Sequence, residues 1–181
     1  MFNWLTRSSI YIRIKPDWLS VRVVRKNGQH SQYEDTPQIV IKLKAKSQPE
    51  VLAVGSAAKS FPVNKKDGVS LVNGFEHPRT IISDFDIAQL TLHSFLSKAW
   101  FGNDALKSPK ILLSPRLIMH PLDKLEGGLT PVEIRALIEL GSQVGARDVI
   151  IYQEPRQLSN EEILSLEFDK YRFRPFWELS D

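Results

Sequence analysis

The sequence contains no cysteine, so disulfide bonds and thiolate metal sites are excluded, as is usual for proteins of reducing compartments. It has no apolar run approaching the roughly 18 residues that a membrane-spanning helix requires. The N-terminus also lacks the apolar stretch of about 7–15 residues that secretory signals carry. These absences predict a cytoplasmic, soluble protein that is not exported.

Recognisable metal and phosphate motifs are missing as well. The four histidines are scattered without the spacing of metal ligands, and Gly127-Gly128 is not followed by the Lys-Ser/Thr of a phosphate-binding loop. The carboxylates Glu76, Asp84 and Asp86 suggest a two-metal nuclease, but such a site also needs a carboxylate on the first strand, which has none. We therefore expect no metal site.

The charged residues are distributed unevenly along the chain. Residues 1–66 carry 12 Lys and Arg against 4 Asp and Glu, whereas residues 67–181 carry 12 against 17. A basic half is usually a solvated face, but it also suits contact with nucleic acid, anionic lipid or an acidic partner. The 181 residues are enough for one domain with its own core.

Alternating apolar residues predict a meander of antiparallel strands in the first part of the chain. Leu19, Val21 and Val23 alternate with polar residues, as in a half-buried strand. The predicted strands span residues 9–14, 19–25, 38–44 and 51–54. In the third of them Ile39, Ile41 and Leu43 are expected to share a face, and residues 60–80 are expected to be irregular.

Apolar residues at helical spacing predict helices later in the chain. One is expected over residues 84–100 with Ser83 as its cap, and a second opens at Thr130, where Glu133 completes a capping box. Ser159 signals a third, short helix, and strands are expected at 111–113 and 149–152. Strands first and strand–helix units later predict an α/β fold in which helices cover a mixed sheet.

Three short sequence strings in the second half of the chain indicate a resemblance to a known family. Thr130-Pro-Val-Glu-Ile-Arg-Ala136 is followed by Gly145-Ala-Arg-Asp-Val149 and Glu154-Pro155. They resemble the T-x-V-E-x-R-A, G-A-R-x-V and E-E-P segments of the MreB-type bacterial actins, the rod shape-determining proteins, and about half of these positions match. Collinear strings upstream, such as Val51-Leu-Ala-Val-Gly55 and Pro109-Lys-Ile-Leu-Leu113, extend the resemblance over roughly residues 9–155.

The resemblance implies a ribonuclease-H-like fold, the first half of an actin-like ATPase, with a mixed five-stranded sheet and flanking helices. It implies a domain over residues 9–168, between an N-terminal segment 1–8 and a tail 169–181. The residues after Pro155 are too few for the second half of the family's fold, so we expect a stand-alone first half. Residues 116–128 look like an insertion before Thr130.

The resemblance fails at the phosphate site. Where the family reads I-D-L-G-T, this chain has Arg13 for the Asp, Lys15 for the Gly and Pro16 for the Thr. The Asp organises metal and water, and the Gly lets the backbone approach the phosphates, whereas Pro lacks an N–H donor. We therefore expect no nucleotide or other cofactor and no ATPase activity, and a structural role for Glu154.

Both ends of the chain carry apolar residues suited to contacts. Phe2, Trp4 and Leu5 with Arg7 resemble the short amphipathic segment with which several MreB-type proteins contact membranes, although ordinary packing on the domain is the alternative. The tail alternates aromatic and basic residues, with Tyr171, Phe173, Phe176 and Trp177 as its aromatics. An inner face left uncovered and this tail favour a homodimer, without filaments.

Together these features predict a non-catalytic binding or scaffolding module of the cytoskeleton, linked to cell shape or envelope organisation. Its expected partners are a protein or a second copy, with peripheral contact to the inner membrane through the N-terminal segment. Two alternatives are an enzyme of unrecognised type on a ribonuclease-H-like scaffold and a nucleic-acid-binding module using the basic half, of which the latter is disfavoured.

Overall fold

The computed structural model describes residues 8–45, 47–102 and 114–168, which fold around two β-sheets. A five-stranded sheet has the order β3-β2-β1-β7-β8, and a three-stranded sheet has the order β5-β4-β6. The strands are β1 Ser9–Ile14, β2 Leu19–Val24, β3 His30–Asp35, β4 Gln38–Lys42, β5 Glu50–Val54, β6 Val69–Asn73, β7 Arg116–Pro121 and β8 Asp148–Ile151. The helices are α1 Ser56–Lys59, α2 Phe85–Phe101, α3 Pro131–Gln143 and α4 Asn160–Ser165.

The large sheet confirms the predicted mixed topology. Its central strand β1 pairs antiparallel with β2 and parallel with β7, and β7 pairs parallel with β8. Because side chains alternate along a strand, Ile10, Ile12 and Ile14 point to one face of β1 while Tyr11 and Arg13 point to the other. The sheet therefore has two faces, each of which packs against its own layer.

Helices α2 and α3 cover the first face and form the main core with it. Leu92 and Phe95 of α2 and Leu137 of α3 are fully buried in one cluster with the isoleucines of β1. The predicted capping box of α3 is confirmed, since the Thr130 side chain accepts from Glu133 N and the Glu133 carboxylate accepts from Thr130 N. The predicted cap of α2 is wrong by one residue: Asp84, not Ser83, accepts from Ile87 N at 3.0 Å.

The short helix α4 covers the second face. It has the predicted capping box between Ser159 and Glu162. Its buried Ile163 joins a second apolar cluster with Tyr11, Ile118 and Tyr152 of the sheet. The loop that follows β8 and helix α4 thereby pack against this second face of the large sheet.

Gly55, between β5 and α1, packs against β3 of the large sheet. Its φ is 72°, and a Cβ atom there would lie 2.2 Å from Oδ2 of Asp35, so no other residue fits this position without displacement. The same Asp35 oxygen accepts hydrogen bonds from the Ser56 hydroxyl at 2.7 Å and from the Tyr33 hydroxyl at 3.2 Å. The glycine of the Val-Leu-Ala-Val-Gly string is thus explained by close packing at the junction.

Three predictions about the strands are wrong. Residues 116–121, interpreted as part of an insertion, form β7 next to the central strand, and residues 69–73 within the supposedly irregular stretch form β6. Leu43 lies beyond the end of β4 and is 60% exposed, so it does not share the buried face of Ile39 and Ile41. The strand predicted at 111–113 lies outside the described residues.

No helix within the described ranges is both long enough and apolar enough to cross a membrane.

Candidate functional site

The corner between β1 and β2 is the place where the sequence predicted a degenerate phosphate loop. The chain turns tightly there, with Lys15 N donating to Trp18 O at 2.8 Å. Pro16 fixes the first bend of the turn, and its carbonyl accepts from the side-chain amide of Asn73 at 2.9 Å. The corner is therefore held both by its own backbone and by the small sheet.

Arg13 lies beside this corner, on the second face of the large sheet, which α4 covers. Its guanidinium donates to Gln157 Oε1 at 2.7 Å and to Ser20 Oγ at 3.4 Å, and it lies 3.9 Å from the Glu34 carboxylate. Its Cζ also lies 4.7 Å from the centre of the Trp18 ring, within the range of a cation–π contact. Only 16% of the side chain is exposed. The cationic group is thus largely enclosed by partners from its own chain.

A small cavity lies beside the turn. A cavity of about 10 Å³ is lined by Ile14, Lys15, Pro16, Ile81, Asp123 and Lys124. A cavity of that volume holds about one water molecule. The Lys124 ammonium closes one side of it by donating to the backbone carbonyls of His77 and Thr80. The three replaced residues Arg13, Lys15 and Pro16 therefore lie together at this corner.

A buried hydrogen-bond chain lies on the same face of the sheet as Arg13. Tyr11 Oη is 2.5 Å from His120 Nδ1, and His120 Nε2 is 2.8 Å from the carbonyl oxygen of Glu154. Since that carbonyl can only accept, Nε2 carries the proton and Nδ1 accepts from the tyrosine hydroxyl. Leu158 N in turn donates to Tyr11 Oη at 3.4 Å. The chain links β1 and β7 to the loop that follows β8.

Burial sets the protonation of this chain. It lowers the pKa of His120 to about 4, helped by the charge of Arg13 and opposed by the hydrogen bond to Glu154. Burial also raises the pKa of Tyr11 to about 12. Both groups are therefore neutral near pH 7. Nothing in the sequence connected His120 to Tyr11.

Glu154 takes part through its backbone and not through its carboxylate. Its carbonyl oxygen accepts from His120, while the residue itself is exposed to solvent. The three carboxylates considered for a nuclease do not form a site: Asp84 caps α2, and the described part of the chain contains no group of three His, Cys, Asp or Glu placed to hold a metal ion. Glu76 and Asp86 remain surface residues.

The two terminal segments lie outside the described residues. These are the predicted membrane contact, Phe2, Trp4, Leu5 and Arg7, and the predicted interaction tail, Tyr171, Phe173, Phe176 and Trp177. Both predictions stay predictions.

The sequence matches the family model described as MreB/Mbl protein over residues 23–158. Among solved structures, MreB5 of Spiroplasma citri bound to AMPPNP is similar, with a TM-score of 0.55 and 21% identity, and covers 82% of this chain. The same protein bound to ADP gives 0.53, 20% and 82%. The chain spans 39% of the length of both MreB5 chains. None of the curated proteins is significantly similar in sequence.

Proposed function

Because the chain belongs to the MreB/Mbl family and has its actin-like, ribonuclease-H-like fold, we propose that it is a non-catalytic actin-like domain that binds other proteins or a second copy of itself. In this role it serves as a scaffolding module for cell shape or envelope organisation. The observation that carries the proposal is the enclosed Arg13 guanidinium at the corner between β1 and β2.

Phosphate binding at such a corner depends on backbone N–H groups that point outward and on small residues that let the phosphates approach. Here Pro16 has no N–H, and the N–H of Lys15 is used within the turn by Trp18 O. The remaining space beside the turn is about 10 Å³. The missing N–H of Pro16 and the engaged N–H of Lys15 support the proposal that the corner does not bind a nucleotide's phosphates.

The charge at the corner also opposes a nucleotide-bound metal. Mg²⁺ binds through carboxylate and phosphate oxygens, and the family's Asp is replaced by a cation that would repel it. Gln157, Ser20 and Glu34 already satisfy that cation. The Arg13 guanidinium is therefore held at the corner by partners from its own chain.

Isothermal titration calorimetry of the full chain with ATP and Mg²⁺ tests the proposal. We expect no binding up to millimolar nucleotide. MreB5 of Spiroplasma citri, which has been crystallised with AMPPNP and with ADP, is the positive control under identical conditions. One-site binding in the micromolar range by this chain would overturn the proposal.

The proposal includes peripheral contact with a membrane through the apolar residues Phe2, Trp4 and Leu5 and the basic Arg7. A segment this short binds weakly and needs attraction between basic residues and anionic lipid. We expect weak, salt-sensitive co-sedimentation with anionic vesicles that decreases when residues 1–7 are deleted. Equal sedimentation of the full and shortened chains would remove the membrane contact from the proposal.

A further inference from the structure

A groove lies between the first two turns of α2 and the chain that leads into β5. It has a volume of about 220 Å³ and is lined by Gln48, Pro49, Asp86, Ile87, Gln89 and Leu90. The four lining residues of α2 lie on one side of the helix, where residues three and four apart are neighbours. Of the described residues, none lines both this groove and the cavity at the corner between β1 and β2. The groove is therefore a separate surface feature, at the place where α2 packs against an edge strand of the small sheet.

Half of the residues that line the groove are apolar. Ile87 and Leu90 pack against the main core but are only half-buried, so part of each side chain faces the groove beside Pro49. An apolar cavity of about 150 Å³ is large enough to hold a benzene ring. The groove can therefore accept an aromatic side chain, and the removal of its apolar area from water favours binding.

The charge of the groove is negative. Among the described residues that line it, Asp86 is acidic and none is basic. Asp86 is exposed and forms no ion pair within the described ranges. Glu50, which follows Pro49, is already paired with Lys44 at 2.8 Å. A ligand that combines an aromatic ring with a positive charge therefore complements the groove.

The tail of this chain has that combination. Residues 171–177 contain four aromatic and two arginine side chains and no acidic one, in the order Tyr-Arg-Phe-Arg-Pro-Phe-Trp. Tryptophan, tyrosine and arginine are the residues most enriched among those that dominate binding energy at protein interfaces. The segment thus matches the groove both in its apolar rings and in the sign of its charge.

We infer that residues 171–177 of one copy bind in the groove of a second copy of this chain. One aromatic ring of the segment packs on Ile87 and Leu90, and an adjacent arginine pairs with Asp86. Reciprocal binding of the two tails forms a closed, symmetric dimer. The inference rests on the self-association in the proposed function, and it names the surface that receives the tail.

The position where the tail begins favours the groove of a second copy over that of the same chain. Phe168, the last residue before the tail, packs against Tyr152 beside β8, with ring centres 5.2 Å apart. The small sheet follows β3, which is the opposite edge of the large sheet. Four strand spacings of about 4.8 Å separate these edges, or roughly 19 Å. The three residues from Phe168 to Tyr171 extend over at most about 11 Å, so the segment cannot lie in its own groove from its first aromatic residue onward.

Sedimentation equilibrium of the full chain tests the charge pairing. Asp86→Arg reverses the charge of the groove, and Arg172→Asp with Arg174→Asp reverses the charge of the tail. Glu126→Arg, at an exposed position in the loop before α3, makes the same charge change away from the groove and is the control. All variants are first compared with the native chain by thermal unfolding.

We expect Asp86→Arg to raise the dissociation constant of the dimer at least about tenfold, because like charges then meet in the contact. Glu126→Arg should associate as the native chain does. Adding Arg172→Asp and Arg174→Asp to Asp86→Arg should recover most of the lost affinity, which a purely structural role of Asp86 would not produce. Equal dissociation constants of the native chain and Asp86→Arg, or equal weakening by Asp86→Arg and Glu126→Arg, would overturn the groove as the binding surface.

Disulfide cross-linking identifies the copy that receives the tail. Because the chain has no cysteine, single cysteines can be placed at chosen positions. Gln89→Cys chains are mixed with Glu178→Cys chains and treated with a mild oxidant, and Glu126→Cys replaces Gln89→Cys in the control mixture. We expect a product that joins one chain of each kind, with a much lower yield in the control, since a disulfide requires Cβ atoms about 4 Å apart.

The remaining outcomes separate this inference from the self-association on which it rests. A double variant with Gln89→Cys and Glu178→Cys that cross-links only within one chain would contradict binding to a second copy. A two-chain mass with equal cross-linking at Gln89→Cys and Glu126→Cys would support self-association and overturn the groove. A one-chain mass of the native protein at every concentration would overturn both.

Discussion

His120 is a buried ionisable residue whose hydrogen bonds work only in the neutral form. Its Nδ1 accepts from Tyr11 and its Nε2 donates to the Glu154 carbonyl, so protonating Nδ1 would turn an acceptor into a second donor. The residue is completely buried, and solvent cannot replace the lost bond. Acid should therefore weaken the link between the central strands and the loop after β8.

We predict that stability decreases as the pH falls from about 6.5 to about 4. The unfolded chain takes up a proton at His120 near the ordinary histidine pKa of 6.5, whereas in the folded chain burial lowers that pKa to about 4. The contribution is fully present above the unfolded pKa and is lost in this window, and its size is about 3 kcal/mol at most. Urea denaturation at a series of pH values measures it.

His120→Gln keeps a donor and an acceptor but does not titrate, so its stability should vary less with pH across the same window. His30→Gln, at an exposed position, is the control and should follow the native chain. Equal pH dependence of the native chain and His120→Gln would show that His120 does not contribute.

The sequence located the replaced residues at the corner but not their surroundings. Arg13, Lys15 and Pro16 could be identified because their types conflict with a known local string. The partners of Arg13 could not, because Gln157 is 144 residues away in the sequence and meets it only through the fold. The hydrogen bond between Tyr11 and His120, which are 109 residues apart in the sequence, could not be predicted for the same reason.

At the scale of elements, helix α3 depends on a local capping motif. The Thr130 hydroxyl and the Glu133 carboxylate satisfy backbone N–H groups that the first turn leaves without helical partners. We predict that Thr130→Ala lowers the free energy of unfolding by about 1 kcal/mol. Val132→Ala is the matched control, because Val132 lies in the same turn and is 77% exposed.

The control substitution should change stability by less than about 0.5 kcal/mol. Chemical denaturation of the three proteins under identical conditions measures both values. A denaturation midpoint of Thr130→Ala equal to that of the native chain would argue against a stabilising cap.

Helices were predicted more accurately than strands because their signals are local. The boxes at Thr130 and Ser159 and the apolar spacing of α2 are each contained within a few residues. Strand β7 lies between β1 and β8 and is buried on both faces. Strands buried in this way show an apolar run without alternation of apolar and polar residues, so there was no strand signal at these residues. Edge strand β3 is polar along most of its length and gave no strand signal.

At the scale of the whole molecule, the exposed apolar side chains of the described region are dispersed. Leu43, Val63 and Leu71 lie around the small sheet, Phe101 ends α2, and Val132 begins α3. Single apolar residues of this kind are normal on protein surfaces. Self-association is therefore expected to depend on the aromatic residues of the tail.

We predict a mass near two chains by light scattering at tens of micromolar, and a mass near one chain after residues 171–181 are removed. The four aromatics Tyr171, Phe173, Phe176 and Trp177 can bury a large apolar area in a symmetric dimer. One-chain mass at both lengths would show that the tail does not drive association. A two-chain mass at both lengths would assign it to another surface.

The position of β1 has a consequence for synthesis on the ribosome. One edge of β1 pairs with β2, which follows it directly in the sequence. Its other edge pairs with β7, and the partner of Tyr11, His120, is synthesised 109 residues later. At about 5–20 residues per second, that edge stays unpaired for roughly 5–20 s. An open apolar strand edge can pair with another chain during that time. The nascent chain is thus most prone to aggregate before residues 116–121 emerge.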